Sequence, residues 1–154
     1  MIITNNFLIL TFLTEGNMLS VFFCIFVYMI YVYNRKTEVH DGPNNYYIGR
    51  PSILGNPYTD IKEKGTLARY IVKNRDEAIA MYSKHFDMMY GSNLEFTRLI
   101  DEIYEKYKNG EDVYLECYCK PLPCHGDIIA KKLQQRLVKE KISEFKKDTT
   151  NEKI

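Results

Sequence analysis

The stretch Val113-Tyr114-Leu115-Glu116-Cys117-Tyr118-Cys119-Lys120-Pro121-Leu122-Pro123-Cys124-His125-Gly126-Asp127 changes its hydrophobic period partway along. Val113, Leu115, Cys117 and Cys119 alternate with Tyr114, Glu116 and Tyr118, the two-residue period of a strand with one buried face. Residues 120–123 form a proline-fixed turn. Beyond it Ile128, Ile129, Leu133 and Leu137 recur at helical spacing, which predicts a last helix starting near Cys124 and running toward Phe145. A strand that feeds straight into a helix is a building unit of α/β folds.

The same alternation extends upstream. Residues 30–33 are β-branched and aromatic and read as a first strand; Tyr46-Tyr47-Ile48 is a second, stopped by Gly49; residues 67–73 alternate as a third. Asn74 is placed to cap a helix with Asp76 and Glu77 in its first turn and Ala78, Ile79, Tyr82, Phe86 and Met89 on its apolar stripe. After Gly91, Ser92 or Asn93 caps another helix carrying Phe96, Leu99, Ile100, Ile103 and Tyr107, and Asn109-Gly110 stops it. Two helices in succession between strands argue against a purely doubly wound topology. The expectation is one small α/β domain over residues 29–146, a short sheet with helices packed on it, preceded by an N-terminal apolar helix in the leader 1–28 and ending in a charged tail at 147–154.

With 154 residues, 45% apolar and 27% charged, the chain suits one globular domain and is neither disordered nor fibrous. A formal charge of +1 gives no electrostatic case for nucleic-acid binding. Charge is unevenly spread, however: the first 34 residues hold one charged side chain, Glu15, and the remainder balances 21 basic against 19 acidic residues. Residues 18–33, MLSVFFCIFVYMIYVY, carry no charge and precede Asn34-Arg35-Lys36. Three readings of residues 1–28 stay open: a membrane anchor, an apolar helix packed on the domain or on a partner, or an extension upstream of a later start at Met18 or Met29. As an anchor, membrane contact would run through residues 1–33, and Arg35 and Lys36 would keep the domain on the cytoplasmic side. Four cysteines are too few for a secreted disulfide scaffold, and clustered thiols favour a reducing compartment, so a cytoplasmic or cytoplasm-facing domain is expected.

The strand-to-helix junction is the strongest chemical signal. Ligands of α/β sheets gather outside the carboxyl ends of strands, and a helix N-terminus offers free N–H groups and partial positive charge. Cys124 is placed to be a thiolate, His125 an acid, base or ligand, and Asp127 a carboxylate in the first helical turn. Three readings compete: core residues with a cap; a ligand or catalytic pocket of Cys124, His125 and Asp127; and a zinc site of Cys117, Cys119, Cys124 and His125. The ligand types suit zinc, but the spacing departs from the common C-x2-C knuckle. A second signal is the loop 49–57, where Gly49 and Gly55 permit close backbone approach, Arg50 offers a planar fork for phosphate or carboxylate, and Asn56 offers a donor and an acceptor. Its rival is a purely structural turn. Neither loop has a P-loop or a GxGxxG pattern.

Taken together, Ile48-Gly49-Arg50-Pro51, Gly55-Asn56-Pro57, Arg75-Asp76-Glu77-Ala78-Ile79 with Tyr82, and Cys117-x-Cys119-x-Pro121-x-x-Cys124-His125-Gly126-Asp127 resemble the bacterial and viral family catalogued as domain of unknown function 4326. The likeness spans residues 30–137. It implies an opening strand at residues 30–35 and convergence of Arg50, Asn56, Cys124, His125 and Asp127 on one pocket, and it implies no activity. The expected ligand is small and anionic, a nucleotide or phosphorylated metabolite. The rival is a non-catalytic zinc-binding module, membrane-tethered in one version. Oligomeric state and reaction type are not legible.

Overall fold

The computed structural model describes residues 29–63 and 65–151, together with the backbone of three short pieces near the N-terminus. Those pieces, β1 (Ile3–Thr4), β2 (Phe7–Ile9) and β3 (Cys24–Phe26), pair as antiparallel strands. No apolar helix is seen among them, and the rest of the expected leader helix lies outside the described residues. Among the described residues no helix is long and apolar enough to cross a membrane.

The domain is organised around β8 (Val113–Cys117), which lies between β4 (Ile30–Asn34) and β5 (Asn45–Tyr47), all three parallel. The uncharged run 18–33 therefore ends in a sheet strand. Val113, Leu115 and Cys117 are fully buried, with Ile30 and Tyr46 on the same face. Three helices cover that face: α1 (Arg75–Met89), α2 (Leu94–Lys108) and α3 (His125–Asn151). Their stripes supply Tyr82 and Phe86, then Phe96, Ile100 and Ile103, then Ile129 and Leu133 to a single core. The caps fall as the sequence predicts, with Asn74 Oδ1 accepting from Glu77 N at 2.9 Å and Asn93 Oδ1 from Phe96 N at 2.9 Å. Gly91 and Gly110 follow the two helices at φ +87° and +88°, a backbone that L side chains rarely adopt.

The opposite face is polar and aromatic. Glu116 accepts from Tyr33 Oη at 2.9 Å and pairs with Arg35 Nε at 2.9 Å, while Tyr31 stacks on Tyr114 and Tyr114 on His40.

Two expectations need correction. The third strand shrinks to Tyr70–Ile71 (β7), paired only with Tyr58–Thr59 (β6), and both of its residues are more than half exposed. Alternation alone over residues 67–73 does not make a long strand where neither face is buried in the core. The junction strand also stops at Cys117, short of Cys119. Arg35 N donates the last ladder bond to Cys117 O, and the Asn34 amide then takes over, donating to Tyr118 O at 3.3 Å and Lys120 O at 2.7 Å. A side chain thus satisfies carbonyls that a neighbouring strand would otherwise pair.

Helix α3 begins hard against the sheet. A Cβ built on Gly126 would lie 2.6 Å from Val32 Cγ1 and 2.7 Å from Ile48 Cδ1. Gly126→Ala is expected to destabilise the fold by about 1–3 kcal/mol, the cost of overpacking a filled core; urea unfolding checks this, and an unchanged midpoint would contradict it.

Candidate functional site

Two stretches 77 residues apart in sequence meet through one imidazole. His125, 6% exposed at the start of α3, places Nε2 at 2.8 Å from the carbonyl oxygen of Ile48, the residue leading into the loop 49–57. A carbonyl only accepts, so Nε2 carries the proton and Nδ1 is left as an acceptor. Cys124 Sγ lies 3.5 Å from Nδ1, where its thiol can donate. Burial pushes the imidazole pKa down and keeps it neutral.

The loop is fastened at three further points. The fully buried Tyr82 hydroxyl donates to Leu54 O at 2.7 Å, Tyr47 Oη donates to Arg50 O at 2.6 Å, and Asn56 Nδ2 donates to Ala78 O at 3.2 Å. Asn56 Oδ1 also accepts from Tyr58 N, so this amide ties the loop to α1. A Cβ on Gly49 would meet the Tyr47 ring, and one on Gly55 would meet Ser52 O at 2.9 Å, so both glycines serve the loop's own packing. Asp127 reaches back as a cap: Oδ2 accepts from Cys124 N at 2.9 Å and Oδ1 pairs with Lys120 Nζ at 2.7 Å. Its carboxylate is occupied within the junction.

Between loop and junction lies a cleft of about 300 Å³. Gly49, Arg50, Asn56, Cys119, Cys124 and His125 line it, whereas Gly55, Cys117 and Asp127 do not. Arg75 also lines it, a residue quoted in the motif but not singled out as a site residue. Its guanidinium donates to Pro123 O at 3.2 Å, bridging the start of α1 to the junction. A basic residue at the first position of a helix opposes the dipole, and that misfit was the available signal. The Arg50 nitrogen Nη1 is buried and is the one side-chain N or O atom among the described residues that is buried without a hydrogen-bond partner.

The Cys117, Cys119 and Cys124 sulfurs all lie within 4.8 Å of one another and can hold a metal ion; His125 does not join that group. Cys117 is sealed, Cys124 is almost wholly buried in the cleft wall, and Cys119 is partly exposed. Hydrogen bonding from the Cys119 thiol, then from Cys124, holds Cys117 well below the usual thiol range. Cys124 goes the other way, pushed up by its contacts with Cys117 and Cys119 and by burial. The helix terminus therefore does not decide which of these sulfurs is the thiolate; their mutual contacts do.

The family described as Domain of unknown function (DUF4326) matches residues 32–135. No curated protein and no solved structure matches the chain.

The buried imidazole makes stability pH-dependent. Below pH about 6.5 the unfolded chain takes up a proton that the folded His125 refuses, so stability falls on acidification, by up to about 1.4 kcal/mol per pH unit. His85, pushed down by partial burial and by Arg69, adds to the slope and stays in the variant. The urea-unfolding stabilities of wild type and His125→Gln are expected to converge between pH 7 and 5; a constant gap would contradict the neutral, buried assignment.

Proposed function

Because the chain belongs to domain of unknown function 4326, a description that assigns no activity, we propose its function from the site: the cleft between the loop 49–57 and the β8–α3 junction binds a small anionic ligand, a nucleotide or phosphorylated metabolite. The observation that carries this reading is the partnerless buried Nη1 of Arg50 beside the cleft. An unpaired buried guanidinium nitrogen costs several kcal/mol of desolvation unless a ligand answers it. Arg75 adds a second cation to the lining, against one acid, Asp60. The first residues of α1 and α3 border the cleft too, and both helix dipoles favour negative charge there. A volume of about 300 Å³ suits a small molecule.

The reading is binding rather than covalent catalysis. Contacts with Cys117 and Cys119 and burial push the Cys124 thiol pKa up, and its sulfur is almost wholly enclosed. A thiol held high is a poor nucleophile. Reduced thiols this close fit a cytoplasm-facing domain. A second reading, a zinc-stabilised structural module, is favoured by the three clustered sulfurs.

Inorganic pyrophosphate is expected to raise the melting temperature of the full chain. Arg50→Ala is expected to weaken its binding about 10–100-fold, the worth of one charged hydrogen-bonding contact, and Arg50→Lys to restore it only partly because the ammonium lacks the planar fork. Calorimetric titration checks this; equal affinity in wild type and Arg50→Ala would overturn the reading.

A further inference from the structure

The cysteine triad is short of one ligand for a closed metal site. Structural zinc takes four protein ligands in a tetrahedron, whereas zinc with three protein ligands keeps its fourth position for water or substrate. Around Cys117, Cys119 and Cys124 no fourth His, Cys, Asp or Glu joins the group among the described residues. His125, the fourth ligand that the sequence suggests, does not bring a ring nitrogen within 4.8 Å of all three sulfurs. Two of the three sulfurs accept backbone N–H groups, Cys117 from Cys119 N at 3.4 Å and Cys124 from Gly126 N at 3.4 Å. Such bonds favour sulfur in its charged, metal-ligating form. Zinc–sulfur bonds of about 2.3 Å set tetrahedral sulfur separations near ~3.8 Å. From separations of 4.8 Å or less, closure onto an ion asks for shifts of about an ångström.

Placement of the triad gives the missing ligand a direction. Cys117 is sealed behind, at 0% exposure, while Cys119 and Cys124 line the cleft that also holds Arg50 and Arg75. We infer that Cys117, Cys119 and Cys124 hold one zinc ion whose fourth position opens into the cleft, so that the anion bound there coordinates the metal with one oxygen while Arg50 and Arg75 take the rest of its charge. The inference rests on the anion-binding reading above and joins it to the metal. Three thiolates on one divalent ion leave a net charge of −1, and the two guanidinium groups offset it. Binding releases the thiol protons that remain in the free protein.

Cobalt(II) replaces zinc as a spectroscopic probe, and inorganic phosphate and pyrophosphate serve as anions. The full chain is expected to take one Co²⁺ with sulfur-to-metal charge-transfer absorption. Cys119→Ser, at the partly exposed position, is expected to weaken metal binding by more than about 100-fold, beyond what outer contacts of a metal site cost, with its circular dichroism unchanged. Pyrophosphate is expected to shift the visible Co²⁺ bands in wild type and to do so far less in Arg50→Ala. No metal uptake, or a chain that takes Cu(I) and rejects Zn²⁺ and Co²⁺, overturns the inference. So do cobalt bands that ignore both anions. If pyrophosphate still raises the melting temperature in an Arg50-dependent way in those cases, the anion cleft stands and only its metal fails. If that rise is also missing, both fail.

Discussion

One hydrogen bond, from His125 Nε2 to the Ile48 carbonyl, fixes the geometry on which the site is built. It joins the last helix to the end of the strand that precedes the loop 49–57, between two buried residues. Its net worth as a bond is about 1 kcal/mol. Its structural worth is larger, because losing it would leave a buried carbonyl and a buried ring nitrogen unsatisfied together. The bond also sets the tautomer, and the tautomer decides what faces Cys124. Gly126 works alongside it, since only the absence of a side chain lets α3 start within contact of Val32 and Ile48. Tyr82 completes the frame, its hydroxyl on Leu54 O and its ring edge-on to His125 at 4.9 Å.

That frame separates residues whose polar groups are spent on building from residues whose charge is left for the cleft. Asp127, Asn56, Gly49 and Gly55 are drawn into local bonds and close contacts. Arg50 and Arg75 bring positive charge to the cleft wall, Arg50 with a buried nitrogen that has no partner. The three sulfurs stand between the two groups, with Cys117 in the core and Cys119 at the cleft. The opposite face of the sheet uses its chemistry differently. There Arg35 lies over the Tyr47 and Tyr118 rings at 5.1 and 5.5 Å while paired to Glu116, so its cation is consumed in holding the outer layer together.

Much of this arrangement is legible from residue order. The period change across residues 113–127, the Asn74 and Asn93 caps and the stop at Asn109-Gly110 are local signals, and local signals survive folding. Convergence of the loop 49–57 with the junction is implied by the family resemblance and by no local signal in either motif. What the sequence hides is whatever depends on partners brought from afar. Asn56 reads equally well as a ligand donor or a tether until Ala78 O is seen beside it. Cys119 continues the alternation of β8 in sequence, yet leaves the ladder because the Asn34 amide intervenes. His125 is of the right type for a fourth zinc ligand although the spacing is unusual, and only the coordinates show that it stays outside the sulfur group.

Nitrogen-15 NMR of the full chain, labelled at histidine, bears most directly on the frame. The account requires His125 to stay neutral at a pH where a free imidazole is already protonated, with Nε2 bearing a slowly exchanging proton and Nδ1 showing the shift of an unprotonated acceptor. An imidazole that titrates near pH 6.5, or that carries its proton on Nδ1 in fast exchange with water, would mean that α3 is not tied to Ile48 and that the two stretches do not share a site.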